Sequence, residues 1–208
     1  MHDIRTPLFS IKLSAGLIKE RGDILSQQER TELLDGISSS VDQLTTMTEN
    51  ILTLTNGKLS ELKMSRRLAE EVISEAALSF RRLHDNVVVT TSVPYEPTEI
   101  MMDVQLIGQV MRNLLENAAR HGEADLIEIT LEVVNGFAEF RFSDNGKGIP
   151  EHALESLFSE SSGNGADGGA RSMGVGLSLC KTIIELHGGT LRGRNTANGA
   201  EFAFTLPL

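Results

Sequence analysis

The chain has 208 residues, 40% hydrophobic and 23% charged, an ordinary globular balance that excludes a disordered tail, a collagen-like rod and a disulfide scaffold. A formal net charge of −10 with no compensating basic patch argues against a nucleic-acid partner, and 4% aromatic residues without tryptophan leave no base-stacking platform. The single cysteine, Cys180, cannot pair within the chain and points to a reducing compartment, while no run approaches the ~18 apolar residues of a membrane helix and no signal leader opens the chain.

Residues 1–59 read as a helical hairpin. Apolar residues recur at Ile4, Leu8, Ile11, Ala15 and Ile18. After Arg21-Gly22-Asp23 they return at Leu34, Ile37, Val41, Leu44, Thr48 and Ile51, in steps of three and four. Such a hairpin leaves one stripe wet. Pairing two copies as a four-helix bundle buries it, so a homodimer through this hairpin is expected. His2-Asp3-Ile4-Arg5-Thr6-Pro7-Leu8 opens the first helix. A neutral imidazole is a good nucleophile near pH 7, and the adjacent Asp3 carboxylate can hold the Nδ1 proton, leaving Nε2 to attack phosphorus. Thr6 lies one turn further along the same face. Pro7 has no N–H for the Asp3 carbonyl and is expected to loosen or kink the helix there.

Residues 60–208 change texture. Helical patterns over 67–83, 103–121 and 173–187 alternate with β-rich runs at 86–92, 126–134, 137–143, 190–194 and 200–206. Asn135-Gly136 between apolar runs signals a hairpin. Strands and helices mix without strict βαβ repetition, which predicts an α+β sandwich. Ser159–Ser172 has no apolar periodicity and reads as a mobile loop.

Three further blocks carry chemistry. In the helix at 103–121, Leu106, Val110, Leu114 and Ala118 share a buried face, and Asn113, Asn117 and His121 share another, one turn apart. An amide oxygen is a hard ligand suited to Mg²⁺. Asp144-Asn145-Gly146-Lys147-Gly148 follows a strand. An aspartate there can accept a hydrogen bond from adenine's amine, and Gly146 and Gly148 allow close backbone approach; the same residues are also good turn chemistry. Gly174-Val175-Gly176-Leu177-Ser178-Leu179 opens an apolar helix, whose free N–H groups and dipole suit phosphate. Within that helix Cys180 reads as a core thiol. His187-Gly188-Gly189 ends it with a glycine cap, and His187 has no catalytic role in this reading.

The four blocks, in this order and over essentially the whole chain, resemble those of bacterial two-component sensor histidine kinases. The resemblance implies a dimerisation and phosphotransfer hairpin at 1–59 and a catalytic ATP-binding domain of the histidine kinase/gyrase type at 60–208, using ATP and Mg²⁺. It makes His2 the phosphoacceptor with Asp3 and Thr6 as its catalytic partners, Thr6 orienting water for dephosphorylation of the partner. It makes Asn117 the Mg²⁺ ligand. It assigns Asn113, Asn117, Arg120, His121, Asp144, Gly146, Gly148, Gly174, Gly176 and Leu177 to the nucleotide. The implied partner is the receiver domain of a response regulator, with no membrane contact by this stretch. The implied location is cytoplasmic, as the inner part of a membrane-anchored sensor whose remaining parts precede Met1. Two departures stand out. Ser178 replaces a third glycine, and after Leu157-Phe158 the second phenylalanine position holds Ser161 and the following basic position Gly163. Two other readings remain: an ATP hydrolase, and a catalytically silent, nucleotide-gated docking module. Hydrolases of the gyrase type carry a glutamate one turn before the Mg²⁺ asparagine; here that position is Asn113, although Glu116 lies close.

Overall fold

The structure, a computed structural model, describes residues 2–22, 24–55, 62–120, 122–155, 157–158 and 173–208, and within them every side chain except those of 2, 3, 6, 39, 42, 43, 46, 47, 49–55 and 173–175. It divides into two units, Met1–Asn56 and Gly57–Leu208. No helix among the described residues is long and apolar enough to cross a membrane.

The first unit consists of α1 (His2–Arg21) and α2 (Gln27–Thr55), packed against each other. α1 continues through Pro7, which lies inside the helix. The bond that proline deletes belongs to the Asp3 carbonyl, so the loss is confined to the first turn. A reciprocal capping box starts α2: Glu29 N–H donates to Ser26 Oγ (3.2 Å) and Ser26 N–H donates to Glu29 Oε2 (2.8 Å). That backbone bond holds the Glu29 carboxyl below its ordinary range. The cap is therefore fully formed above the ordinary carboxylate pKa and weakens as pH falls through the lowered value. Leu8, Phe9, Leu13, Leu34 and Val41 stay about half exposed or more.

The second unit is a two-layer α/β sandwich. Its elements are β1 (Ser65–Leu68), α3 (Ala69–Arg81), β2 (Val88–Ser92), β3 (Glu99–Met102), α4 (Val104–Arg120), β4 (Leu126–Val134), β5 (Phe137–Asp144), α5 (Glu151–Leu154), α6 (Met173–Leu186), β6 (Leu191–Asn195) and β7 (Ala200–Pro207). The main sheet has the order β2-β4-β5-β7-β6; β2 pairs parallel to β4 and the other pairs are antiparallel. Asn135 and Gly136, with φ of 52° and 81°, form the expected tight hairpin turn between β4 and β5.

Register aligns the apolar residues into rows. Ile129, Phe142 and Phe202 form one row, and Leu131, Phe140 and Phe204 the next, with Phe140 stacked on Phe204 at 4.6 Å. Strand alternation puts Asp144 on this same inward face, beside Ile127 and level with the buried Ala200. The helices close the core with Val72, Ile73, Ala76 and Phe80 of α3, Leu106, Val110, Leu114 and Ala118 of α4, and Leu179, Cys180, Ile183 and Ile184 of α6.

Three elements escape the sequence pattern. β1 and β3 pair antiparallel as a separate two-stranded sheet, and α5 is a single turn. Each has four residues, too few to display a period. Because β1 takes Leu68, α3 starts at Ala69 rather than at 67.

Candidate functional site

α4 is anchored at its start by Asp103. Asp103 Oδ1 accepts the N–H groups of Gln105 (3.1 Å) and Leu106 (3.3 Å), and Oδ2 accepts the backbone N–H of Lys63 (2.9 Å). The Asp103 N–H donates to His187 Nε2 (3.0 Å). Nδ1 of His187 must then carry the proton, which it donates to the Ile183 carbonyl (2.7 Å). His187 is thus a buried bridge from the end of α6 to the start of α4. A Schellman turn follows it, with Gly189 N–H on Ile184 O (2.9 Å) and Gly188 N–H on Glu185 O (3.0 Å).

The three C-terminal blocks converge around the far end of α4. Asn113 is buried and its Nδ2 donates to Cys180 Sγ (3.5 Å). A Cβ on Gly176 would lie 3.9 Å from that same amide, so the glycine block of α6 abuts the asparagine helix. One turn on, the Gly122 N–H donates to Asn117 O (3.1 Å), and Lys147 N–H donates to Gly122 O (2.8 Å). A Cβ on Gly146 would sit 2.1 Å from Gly122 O. The turn after β5 therefore docks directly on the end of α4. A Gly146→Ala variant is expected to lose about 1–3 kcal/mol of stability from this clash, read by denaturant unfolding, together with nucleotide affinity.

Asp144 is buried, and among the described residues its two hydrogen bonds both fall on Oδ1, from Gly146 N–H (2.9 Å) and Ala200 N–H (3.1 Å). Oδ2 is left for an incoming donor. Gly148 has φ of +74°. The chain then passes to Ile149, which Asn195 clamps on both sides: Ile149 N–H donates to Oδ1 (2.7 Å) and Nδ2 donates to Ile149 O (2.8 Å). Gly199 is equally constrained, since a Cβ there would meet Asp144 O at 2.2 Å. Sequence reasoning missed Asn195 and Gly199; the Asn198-Gly199 turn signal between β6 and β7 was the available cue. Asn145 points away, its Oδ1 accepting the N–H groups of Asp125 (3.2 Å) and Leu126 (3.1 Å).

Among the described residues, the buried Asn117 Nδ2 has no hydrogen-bond partner, and as a donor it is open to an acceptor such as a phosphate oxygen. No group of three His, Cys, Asp or Glu converges among the described residues. A divalent ion would thus have no all-protein cage here. A lone amide oxygen completed by phosphates and water is the set Mg²⁺ takes. The residues present fit a nucleotide with such an ion.

Glu116 Oε1 is hydrogen-bonded to His84 Nε2 at 2.8 Å, and Oε2 lies 2.9 Å from Arg120 Nε as an ion pair without hydrogen-bond alignment. Both contacts neutralise its charge from neighbouring side chains, which does not favour it as a base for water. The Leu177 side chain is wholly buried, so only its backbone could face a ligand. Gly174 lies in the first turn of α6. His121, the loop at 159–172, and the side chains of His2, Asp3 and Thr6 lie outside the described residues. Leu157 is buried against Gly193.

Cys180 is fully enclosed, and burial pushes its thiol up to about 12. Thiolate is the reactive form. The native protein is therefore expected to resist Ellman's reagent at about pH 8, one thiol titrating after denaturation. Rapid native labelling would contradict this packing.

Comparison with known proteins places this geometry. The His Kinase A (phospho-acceptor) domain family matches residues 1–58, and the histidine kinase-, DNA gyrase B- and HSP90-like ATPase family matches residues 102–208. Sensor protein KdpD of Clostridium acetobutylicum is 34% identical over 99% of the chain, which spans 24% of that protein's length. The catalytic domain of histidine kinase ThkA aligns with a TM-score of 0.61 at 28% identity, over 70% of this chain and 95% of that one. Histidine kinase ThkA in complex with response regulator protein TrrA aligns with a TM-score of 0.70 at 25% identity, over 99% of this chain and 59% of that one. With the phospho-acceptor helices at one end and the ATPase-type sandwich at the other, the chain belongs to the sensor histidine kinases.

Proposed function

We propose that this chain transfers the γ-phosphoryl group of ATP to His2 and then to an aspartate on a response regulator receiver domain. His2 Nε2 attacks the γ-phosphorus; the N–P bond forms as the β,γ-bridging P–O bond breaks, and ADP leaves with the electron pair. Asp3 holds the Nδ1 proton throughout. In the second step a receiver carboxylate attacks the phosphorus and the imidazole leaves. Thr6 orients water when the phosphorylated receiver is hydrolysed. Little covalent help is needed for such transfers, so positioning and charge neutralisation dominate. Asn117 would hold a Mg²⁺ ion, which supplies positive charge to the polyphosphate. Asp144 takes the adenine amine; Gly146 and Gly148 admit the base. Arg120, His121, Asn113, Gly174, Gly176 and the Leu177 backbone complete the nucleotide site.

The observation that carries this reading is the meeting of three motifs, distant in sequence, around a buried amide nitrogen and a buried carboxylate oxygen that have no partner among the described residues. The complex of ThkA with TrrA supports a response regulator as the partner. The exposed Leu8, Phe9, Leu13, Leu34 and Val41 support a homodimer through the hairpin. A cytoplasmic location is part of the same proposal, since a receiver domain must reach His2. Hydrolysis is disfavoured, because Asn113 stands where such an enzyme needs its glutamate and Glu116 is held by His84 and Arg120.

The test is incubation with γ-labelled ATP and Mg²⁺. Acid-labile, alkali-stable label on the protein supports the kinase. Free phosphate without protein label supports a hydrolase, and nucleotide binding without either product supports a silent docking module.

A further inference from the structure

His84 follows α3, outside every recognised motif. Its ring stacks on the buried Phe80 at 4.3 Å, and its backbone is held at both ends, His84 N–H on Phe80 O (3.1 Å) and Val87 N–H on His84 O (3.3 Å). These contacts restrain the imidazole. Nε2 donates to Glu116 Oε1 at 2.8 Å, and Glu116 Oε2 forms an ion pair with Arg120 Nε at 2.9 Å that lacks hydrogen-bond alignment. The three side chains are only 19%, 27% and 25% exposed, so solvent screens this chain of contacts less than a surface pair.

A glutamate–arginine pair one turn apart on a helix is weak by itself. Here the carboxylate is fixed from a second element, and the arginine is fixed through it. We propose that His84 is a positioning residue for the polyphosphate of a nucleoside triphosphate: by locking Glu116 it keeps the Arg120 guanidinium, ion-paired to that carboxylate at 2.9 Å, in place for phosphate oxygens. This rests on the reading of Arg120 as a phosphate-binding residue. An unrestrained arginine would lose rotamer freedom at the moment of binding; one held in place has lost it already on folding. Glu116 also gains a role distinct from water activation.

The experiment compares the affinities of ATP and adenosine in the full chain with Mg²⁺, by competition against a fluorescent nucleotide. His84→Phe keeps the stack on Phe80 and deletes the hydrogen bond. It is expected to weaken ATP binding about five- to tenfold while adenosine affinity stays unchanged. His84→Gln replaces the Nε2 donor and is expected to recover ATP affinity to within about twofold. In an Arg120→Ala background, which itself lowers ATP affinity, His84→Phe should add nothing, because both act through one contact. The proposal is overturned if His84→Phe leaves both affinities unchanged, lowers both equally, or is not rescued by glutamine. If Arg120→Ala itself leaves the ATP-to-adenosine ratio unchanged, the reading of Arg120 fails and the proposal falls with it. If Arg120→Ala collapses the ratio and His84→Phe does not, the proposal alone fails.

Discussion

Replacing His2 with alanine is expected to abolish protein-bound label from γ-labelled ATP, a loss of at least about 10³-fold in transfer rate, with ATP affinity unchanged. The separation follows from chain organisation. His2 belongs to the unit Met1–Asn56, whereas Asn117, Asp144 and Gly176 all belong to Gly57–Leu208. Removing the nucleophile therefore leaves every proposed nucleotide contact in place. The measurement pairs autoradiography of the protein with calorimetric titration of ATP. Label that persists in the alanine variant would move the acceptor elsewhere. A parallel fall in ATP affinity would put the imidazole in the nucleotide site rather than at its delivery end.

The second large effect is at Asp144, where two roles can be separated. Oδ1 holds the turn through the Gly146 and Ala200 N–H groups, and Oδ2 is the proposed adenine acceptor. Asp144→Ala removes both. It should cost about 1–3 kcal/mol of stability from two buried donors left unpaired, and at least about 100-fold in ATP affinity. Asp144→Asn keeps an oxygen for the turn but aims an N–H₂ at the exocyclic amine of adenine, donor against donor. ATP affinity should fall by a similar factor while the unfolding midpoint stays near that of the parent. Guanine offers a carbonyl oxygen at that position, so the ratio of GTP to ATP affinity should rise. An asparagine variant that binds ATP normally would remove Asp144 from adenine recognition.

How far these features could be read in advance depended on length and on sequence separation. α4, β4 and β5 are long and strongly patterned, and the expected apolar face of α4, Leu106, Val110, Leu114 and Ala118, is the buried one. The Asn135-Gly136 turn was legible because its positive φ values demand those residue types. β1 and β3 were not, since Arg66 and Arg67 in a four-residue strand offer no period and Ile100 and Met102 only one alternation. Within the site, the asparagines, Asp144 and the glycines announced themselves by spacing. The burial of Asn113 did not: a polar stripe on a helix is ordinarily wet, and here a sulfur from α6 accepts the amide hydrogen bond instead. The pairing of His84 with Glu116 and the clamp of Asn195 on Ile149 join residues 32 and 46 positions apart. No local pattern carries such contacts; only the completed sheet and helix packing brings them together.

The Asp103 carboxylate sets where an isolated catalytic half can be cut. Its Oδ2 binds the backbone of Lys63, which precedes β1. A truncation to residues 102–208, the span of the ATPase-family match, would strip that partner away and also delete β1 and α3. Leu106, Val110 and Leu114 would lose the neighbours Ile73, Ala76 and Phe80 in the common core. A self-sufficient ATP-binding fragment must therefore begin upstream of Leu62, some forty residues ahead of the start of the ATPase-family match, and shorter pieces should emerge from expression as aggregates.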